Sequence, residues 1–226
     1  GLNRMGRDPV ESVPHILEIA KLPWLEVRGL MSHTGHAYAK DTEDEIRAVA
    51  IEDATLMHKT KELLAKHGLD VPEISVGATA TARFIKDIPY ATEMRPGMYV
   101  FNDRFVMATG GADEDDCAVS VIATVVARPT ADRLIIDAGS KTLASDAFRG
   151  GGFGTIRGHG NLVIKSLSEE HGRVEVHGDT DLKIGDVVEI IPNHICPVIN
   201  LADELYGFRG GRLERVIPVS ARGKNR

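Results

Sequence analysis

Apolar residues at Val13, Ile16, Ile19 and Ala20 fall on one side of a helix over residues 9 to 21, behind Pro9 and Glu11. Leu25 to Met31 reads as a buried strand. The next segment opens on Thr42-Glu43-Asp44-Glu45, a capping box, and places Ile46, Val49, Ala50, Ala54, Met57, Leu63 and Leu64 at helical spacing. It stops at Lys66-His67-Gly68, cations and a glycine that suit a helix C-terminus. Ile74 to Gly77 predicts a second strand, residues 79 to 86 a short helix, and Ala91 to Arg95 a third strand. Strands separated by helices argue for parallel βα units, whose functional groups collect in the loops after the strands. Those loops are Ser32 to Tyr38, Gly77 to Thr81 and Arg95 to Met98.

After the acidic stretch Gly110 to Asp116 the helical pattern stops. Ala118 to Ala127, Arg133 to Ala138, Asn161 to Ser166, Arg173 to His177, Val187 to Ile191 and Arg212 to Val219 read as strands separated by Gly, Asp, Asn or Pro. The expected organisation is an α/β domain over residues 1–108 and a compact β domain over 109–226. Arg149 to Gly154 is too rich in glycine for regular structure and is expected as a mobile or site-facing loop. Three or four βα units are fewer than the eight of a closed (β/α)8 barrel. The first domain is thus either a small open sheet or the later part of a barrel whose start precedes Gly1.

Composition narrows the function. With 226 residues and 42% hydrophobic content the chain can fill a core. A formal charge of -6 gives no support to a nucleic-acid partner. No apolar stretch reaches membrane-spanning length and no signal sequence opens the chain, so the expected location is the cytoplasm. Cys117 and Cys196 are the two cysteines and are expected as thiols.

His194 and Cys196 are both zinc-ligand types, and on a strand an i, i+2 spacing would point them to one face. Read alone, a thiol beside a loop histidine is the commoner arrangement. Two protein ligands, if they hold an ion, leave room for water or substrate. Gly77 to Thr81 leaves a strand and can hold an anion with backbone N–H groups and the hydroxyls of Thr79 and Thr81, or can simply cap a short helix. Arg95-Pro96-Gly97 is equally a phosphate clamp or a structural turn. His33, His36 and Tyr38 offer titratable and stacking groups on one loop. These parts suit pyridoxal phosphate better than a nucleotide, because no Gly-x-Gly-x-x-Gly after a strand and no Gly-Lys-Ser/Thr is present.

Five motifs in order carry a resemblance: Gly1-Leu2-Asn3-Arg4-Met5-Gly6, Gly29-Leu30-Met31-Ser32-His33-Thr34-Gly35-His36, Glu93-Met94-Arg95-Pro96-Gly97-Met98-Tyr99, Asp137-Ala138-Gly139-Ser140-Lys141 and Pro192-Asn193-His194-Ile195-Cys196-Pro197. With Leu167-Ser168-Glu169-Glu170-His171-Gly172 they resemble the D-threonine aldolase and D-serine dehydratase group, fold-type III pyridoxal phosphate enzymes related to alanine racemase. The resemblance implies the C-terminal portion of a (β/α)8 barrel followed by a compact β domain, and a homodimer. It implies that His33 lies against the pyridine ring, that Arg4 approaches the ring hydroxyl or the substrate, and that Tyr38 is a substrate-side group. It gives the phosphate to Gly77, Thr79, Gly97 and Met98, largely through backbone N–H groups, and the pyridine nitrogen to Arg95. His194 and Cys196 match the family's metal pair, with zinc ahead of manganese as the ion. The family's Schiff-base lysine precedes the arginine motif with which this chain opens, and nothing here matches it. Lys141 belongs to a β-domain motif and does not take that role, so the chain is expected to be the C-terminal part of a longer enzyme.

The implied activity is a metal-assisted lyase on D-3-hydroxy amino acids, of the D-threonine aldolase type. The alternatives are the D-serine dehydratase type and a non-catalytic remnant that binds the cofactor or a partner.

Overall fold

The computed structural model describes residue 2 and residues 4–224. Two compact units are present, one of Gly1–Tyr99 with Ala108–Gly111, the other of Val100–Met107 with Ala112–Arg226. The chain therefore passes between them more than once around residues 100–111.

The first unit contains α1 (Val13–Ile19), β1 (Gly29–Met31), α2 (Glu43–Lys66), β2 (Glu73–Val76), α3 (Thr79–Ala82) and β3 (Glu93–Met94). The strands form a parallel sheet in the order β1-β2-β3, with Leu30 opposite Ile74 and Ser75 opposite Glu93. Helix α2 forms where its capping box predicts. The Thr42 hydroxyl accepts from the Glu45 N–H at 3.2 Å, and the Glu45 carboxylate accepts from the Thr42 N–H at 3.1 Å. Its apolar stripe, Ile46, Val49, Ala50, Ala54, Met57 and Leu64, is buried in one core with Leu30, Ile74 and Val76.

Several expectations are corrected at their ends. Of Leu25 to Met31 only the last three residues are strand, and Leu25 is exposed. The partner strand sets this limit, because β2 itself begins only at Glu73, whose N–H donates to the Arg28 carbonyl at 3.3 Å. The strand expected over Ala91 to Arg95 reduces to two residues. The helix over 79 to 86 is a four-residue α3 followed by a 3₁₀ turn at Ile85–Asp87. The helix over 9 to 21 starts only at Val13, because the Asp8 carboxylate accepts the N–H groups of Val10 and Glu11 and holds them in a turn.

Helix α4 (Arg104–Ala108) leads towards the β-rich unit, which contains β4 (Val121–Thr130), β5 (Arg133–Ile136), α5 (Ser140–Leu143), β6 (Thr155–Ile156), β7 (Leu162–Leu167), β8 (Gly172–Val176), β9 (Val187–Ile191), α6 (Ile195–Leu201), β10 (Glu204–Arg209) and β11 (Arg212–Pro218). Six strands close an antiparallel barrel in the order β4-β5-β8-β7-β6-β9. Alternate residues fill it, among them Val125, Leu134, Ile136, Ile164, Val174 and Ile190. The two-residue β6, the hairpin strand β10 and the short helices α5 and α6 were not among the expected elements. Gly139 lets α5 start tight against the turn between β7 and β8, since a Cβ there would lie 2.4 Å from the Glu169 carbonyl oxygen. Both cysteines are free thiols. No helix among the described residues is long and apolar enough to cross a membrane.

Candidate cofactor and metal sites

Because the three strands of the first unit are parallel, the loops that follow them leave the sheet at the same end. Gly77, immediately after β2, has φ +110°, a conformation that suits glycine and would strain a side chain. Its carbonyl accepts from His33 Nδ1 at 3.2 Å, which ties the loop after β1 to the loop after β2. Thr79 Oγ1 accepts two backbone N–H groups from the third loop, Gly97 at 3.2 Å and Met98 at 3.0 Å. An oxygen that accepts twice directs its own hydrogen elsewhere, so the Thr79 hydroxyl is a donor aimed away from those amides. The Tyr38 hydroxyl accepts from the Ala80 N–H at 3.3 Å, and Thr81 Oγ1 bonds Thr34 Oγ1 at 2.9 Å beneath. His33, Tyr38, Gly77, Thr79, Gly97 and Met98 thus belong to one stitched loop cluster. Tyr38 is held to the start of α3 and also packs against the apolar core.

Arg95 follows β3 and is locked from several sides. Its Nε donates to Ser75 Oγ at 2.7 Å and its NH2 donates to the Ser32 carbonyl. The Ser32 hydroxyl in turn donates to Asp53 on α2, and the Ser75 hydroxyl to Glu93. Burial raises the Asp53 pKa above its ordinary value, opposed by the Ser32 hydrogen bond and by the charges of His36 and Arg95. Burial lowers the pKa of His36, whose Nδ1 is enclosed without a hydrogen-bond partner. Sequence reasoning passed over Asp53. Its signal was a carboxylate on the apolar stripe of α2, between Ala50 and Met57. Arg4 is exposed in the irregular segment before α1, and nearby Leu2 lies against Gly35 of the His33 loop. Gly1 and Asn3 of that first motif lie outside the described residues.

The metal candidates lie in the second unit, where strand geometry is not what pairs them. β9 ends at Ile191, His194 is the N-cap of α6 with φ -135° and ψ 109°, and Cys196 is in the first turn. The neighbouring Cys196 side chain is the largest of the effects that push the His194 pKa up to about 9; burial opposes it, and Asp146 adds to it. Asp146 Oδ2 lies 2.5 Å from His194 Nδ1. Asp103, 0% exposed, accepts the N–H of Ile195 at 2.9 Å and of Val106 at 3.0 Å, so one buried carboxylate fixes the starts of α4 and α6. Burial raises its pKa, and those hydrogen bonds oppose the rise. Gly151 and Gly152 of the expected loop are tied down, their carbonyls accepting from Arg104 at 2.7 Å and Asn193 at 2.9 Å. Among the described residues no group of three or more His, Cys, Asp or Glu is placed to hold a metal ion, so the pair stands as two donors. Lys141 is exposed and paired with Glu169 at 2.8 Å and Glu170 at 3.0 Å.

Residues 1–104 match the family model of the alanine racemase N-terminal domain, and residues 118–208 match that of the "putative serine dehydratase domain". The chain is 31% identical to a D-threonine aldolase of an Arthrobacter species, over 98% of this chain and 59% of that one. It belongs to the fold-type III family of D-threonine aldolase and D-serine dehydratase. The D-serine dehydratase of Dictyostelium discoideum is 29% identical over 87% of this chain and 55% of its own length. The crystal structure of D-threonine aldolase from Filomicrobium marinum superposes with a TM-score of 0.85 at 27% identity, covering 99% of this chain and 62% of that one. The fold is thus that of the alanine racemase-like proteins, and this chain spans between 55% and 62% of the length of these relatives. The family is pyridoxal phosphate-dependent and includes metal-dependent members.

Proposed function

We propose that this chain carries the cofactor-phosphate and metal sites of a lyase acting on D-3-hydroxy amino acids, of the D-threonine aldolase type. The observation that supports it most is the meeting of His33, Tyr38, Gly77, Thr79, Gly97 and Met98 at one end of a parallel sheet, in a chain that aligns with a D-threonine aldolase over 98% of its length. In this reading the sheet is part of the wall of a (β/α)8 barrel, and the working form is a cytoplasmic homodimer.

The residues suit the groups assigned to them. A Cβ built at Gly97 meets no atom within 4 Å, and at Gly77 nothing closer than 3.6 Å, which leaves space beside the Thr79 hydroxyl for a phosphate. Thr79, Gly77, Gly97 and Met98 would hold that phosphate, the Gly97 and Met98 N–H groups exchanging Thr79 Oγ1 for a phosphate oxygen, while His33 would lie against the ring and Arg95 would face the ring nitrogen. A guanidinium offers donors only, so it hydrogen-bonds a nitrogen that carries no proton. Pyridoxal phosphate supplies a carbonyl for the substrate amine and a conjugated ring that accepts electron density from Cα. His194 and Cys196 would hold the ion, a soft and borderline donor pair that suits zinc and admits manganese. Such an ion supplies Lewis-acid polarisation of a substrate oxygen. The Asp53–Ser32–Arg95 and Ser75–Glu93 hydrogen bonds keep the guanidinium oriented from below.

Incubation of the full-length protein with pyridoxal phosphate, zinc and D-threonine is expected to yield glycine and acetaldehyde. Pyruvate and ammonia from D-serine, with no aldehyde from D-threonine, would transfer the assignment to the dehydratase type. Absence of all four products, together with failure to retain the cofactor on equilibrium dialysis, would overturn the reading.

A further inference from the structure

Asp146 stands 48 positions before His194 in the chain and belongs to none of the motifs that carry the resemblance. Its carboxylate oxygen lies 2.5 Å from His194 Nδ1. In the neutral imidazole that a cation selects by displacing a proton, giving Nδ1–H to a carboxylate leaves the lone pair on Nε2, and a metal-bound histidine generally has such a partner on its other nitrogen.

Three further features hold this arrangement. Asn193, 1% exposed and adjacent to His194, donates from Nδ2 to the Asp146 carbonyl at 2.8 Å, so the backbone on both sides of the contact is tied together. Ala144, which caps α5, has φ +61° and ψ -173°, a conformation that strains a non-glycine residue and turns the chain just before Asp146. Phe105 meets the His194 ring edge-on at 5.7 Å. The ring is therefore held at its Nδ1 side by a carboxylate and flanked by an aromatic side chain.

We propose that Asp146 is a positioning residue that orients His194 and fixes its tautomer, so that Nε2, with Cys196, receives a divalent cation. This rests on the reading of His194 and Cys196 as the metal pair and adds a residue that the pair needs.

Zinc affinity of the whole chain, measured by competition with a chromophoric chelator, tests both levels separately. The parent chain is expected to bind zinc, and H194A and C196A to lose it. Affinity in D146A should fall by 10- to 100-fold, with D146N, which still accepts a hydrogen bond, falling less and D146E recovering part of the loss. At saturating cobalt(II), D146A should reproduce the parent's visible spectrum, because its coordinated atoms are unchanged. No zinc binding by the parent would overturn the metal reading and this inference with it. Zinc bound by the parent and equally well by D146A would overturn this inference alone, as would a D146A cobalt spectrum of altered coordination, which would make Asp146 a ligand. Thermal unfolding of metal-free D146A at the parent's temperature separates loss of orientation from loss of fold. If D146A unfolds, the near-isosteric D146N carries the same comparison.

Discussion

Cys117 is buried, and burial pushes its thiol up to about 11, with the nearby Asp103 carboxylate adding to the rise. Against the ordinary thiol value of 9.0, that leaves roughly 100-fold less thiolate at pH 8. Cys196 is exposed. Iodoacetamide at pH 8 is therefore expected to modify Cys196 first and Cys117 only after denaturation, with zinc slowing the first reaction; peptide mass mapping reads both. Equal labelling of the two in the folded chain would contradict the burial argument. At this scale the candidate donor types were legible because chemistry is local: an imidazole and a thiol two positions apart can be read directly. Asp146 and Asp103 were not, since they reach the His194 turn across sequence separations of 48 and 92. An acidic residue in a loop carries no pattern that tells which distant turn it will serve.

The elements divide by how much of their stability is local. Helix α2 is specified by its own cap and its own stripe, so its start at Glu43 and end at Lys66 agree with the residues that predicted them. Thr42→Ala removes the hydroxyl that accepts from Glu45 and is expected to cost about 1 kcal/mol in urea unfolding. Thr42→Asn should recover most of that. Strands β1 and β3 are different. The segments that read as strands are longer than the three and two residues that pair, because a strand lasts only as long as its neighbour offers N–H and C=O groups. β2 begins only at Glu73, a fact about the neighbour that the β1 sequence cannot contain. The geometry of the His–Cys pair was misjudged for a related reason. The apolar run of β9 reads on towards His194, yet Asn193 turns the backbone there through its hydrogen bonds to Asp146 and Gly152.

At the scale of the whole molecule, the chain holds two architectures, a parallel sheet with helices in one unit and an antiparallel barrel in the other. What pattern could not convey was that residues 100–107 join the second unit and 108–111 the first. Each unit has its own apolar core. A substitution inside one core should accordingly act on that unit's unfolding. Gly139→Ala would force a methyl group to 2.4 Å from the Glu169 carbonyl oxygen, a backbone atom that cannot swing aside. Overpacking of this kind costs about 1–3 kcal/mol. In calorimetry it is expected to lower the transition of the barrel unit and leave that of the parallel-sheet unit in place; an equal shift of both would show that the two melt as one.

The closure of that barrel also bears on how the chain meets other chains. Because β4 bonds to both β5 and β9, the ladder returns on itself and offers no row of unpaired N–H and C=O groups for an intruding strand. Among the described residues the open edges lie elsewhere, on the outer sides of β1 and β3 and of the β10–β11 hairpin. The hairpin is also where Tyr206, Phe208, Leu213, Val216 and Ile217 stand exposed. Edge-to-edge self-association of this protein, and the charged substitutions that would block it, therefore belong to those strands and not to the barrel that presents His194 and Cys196.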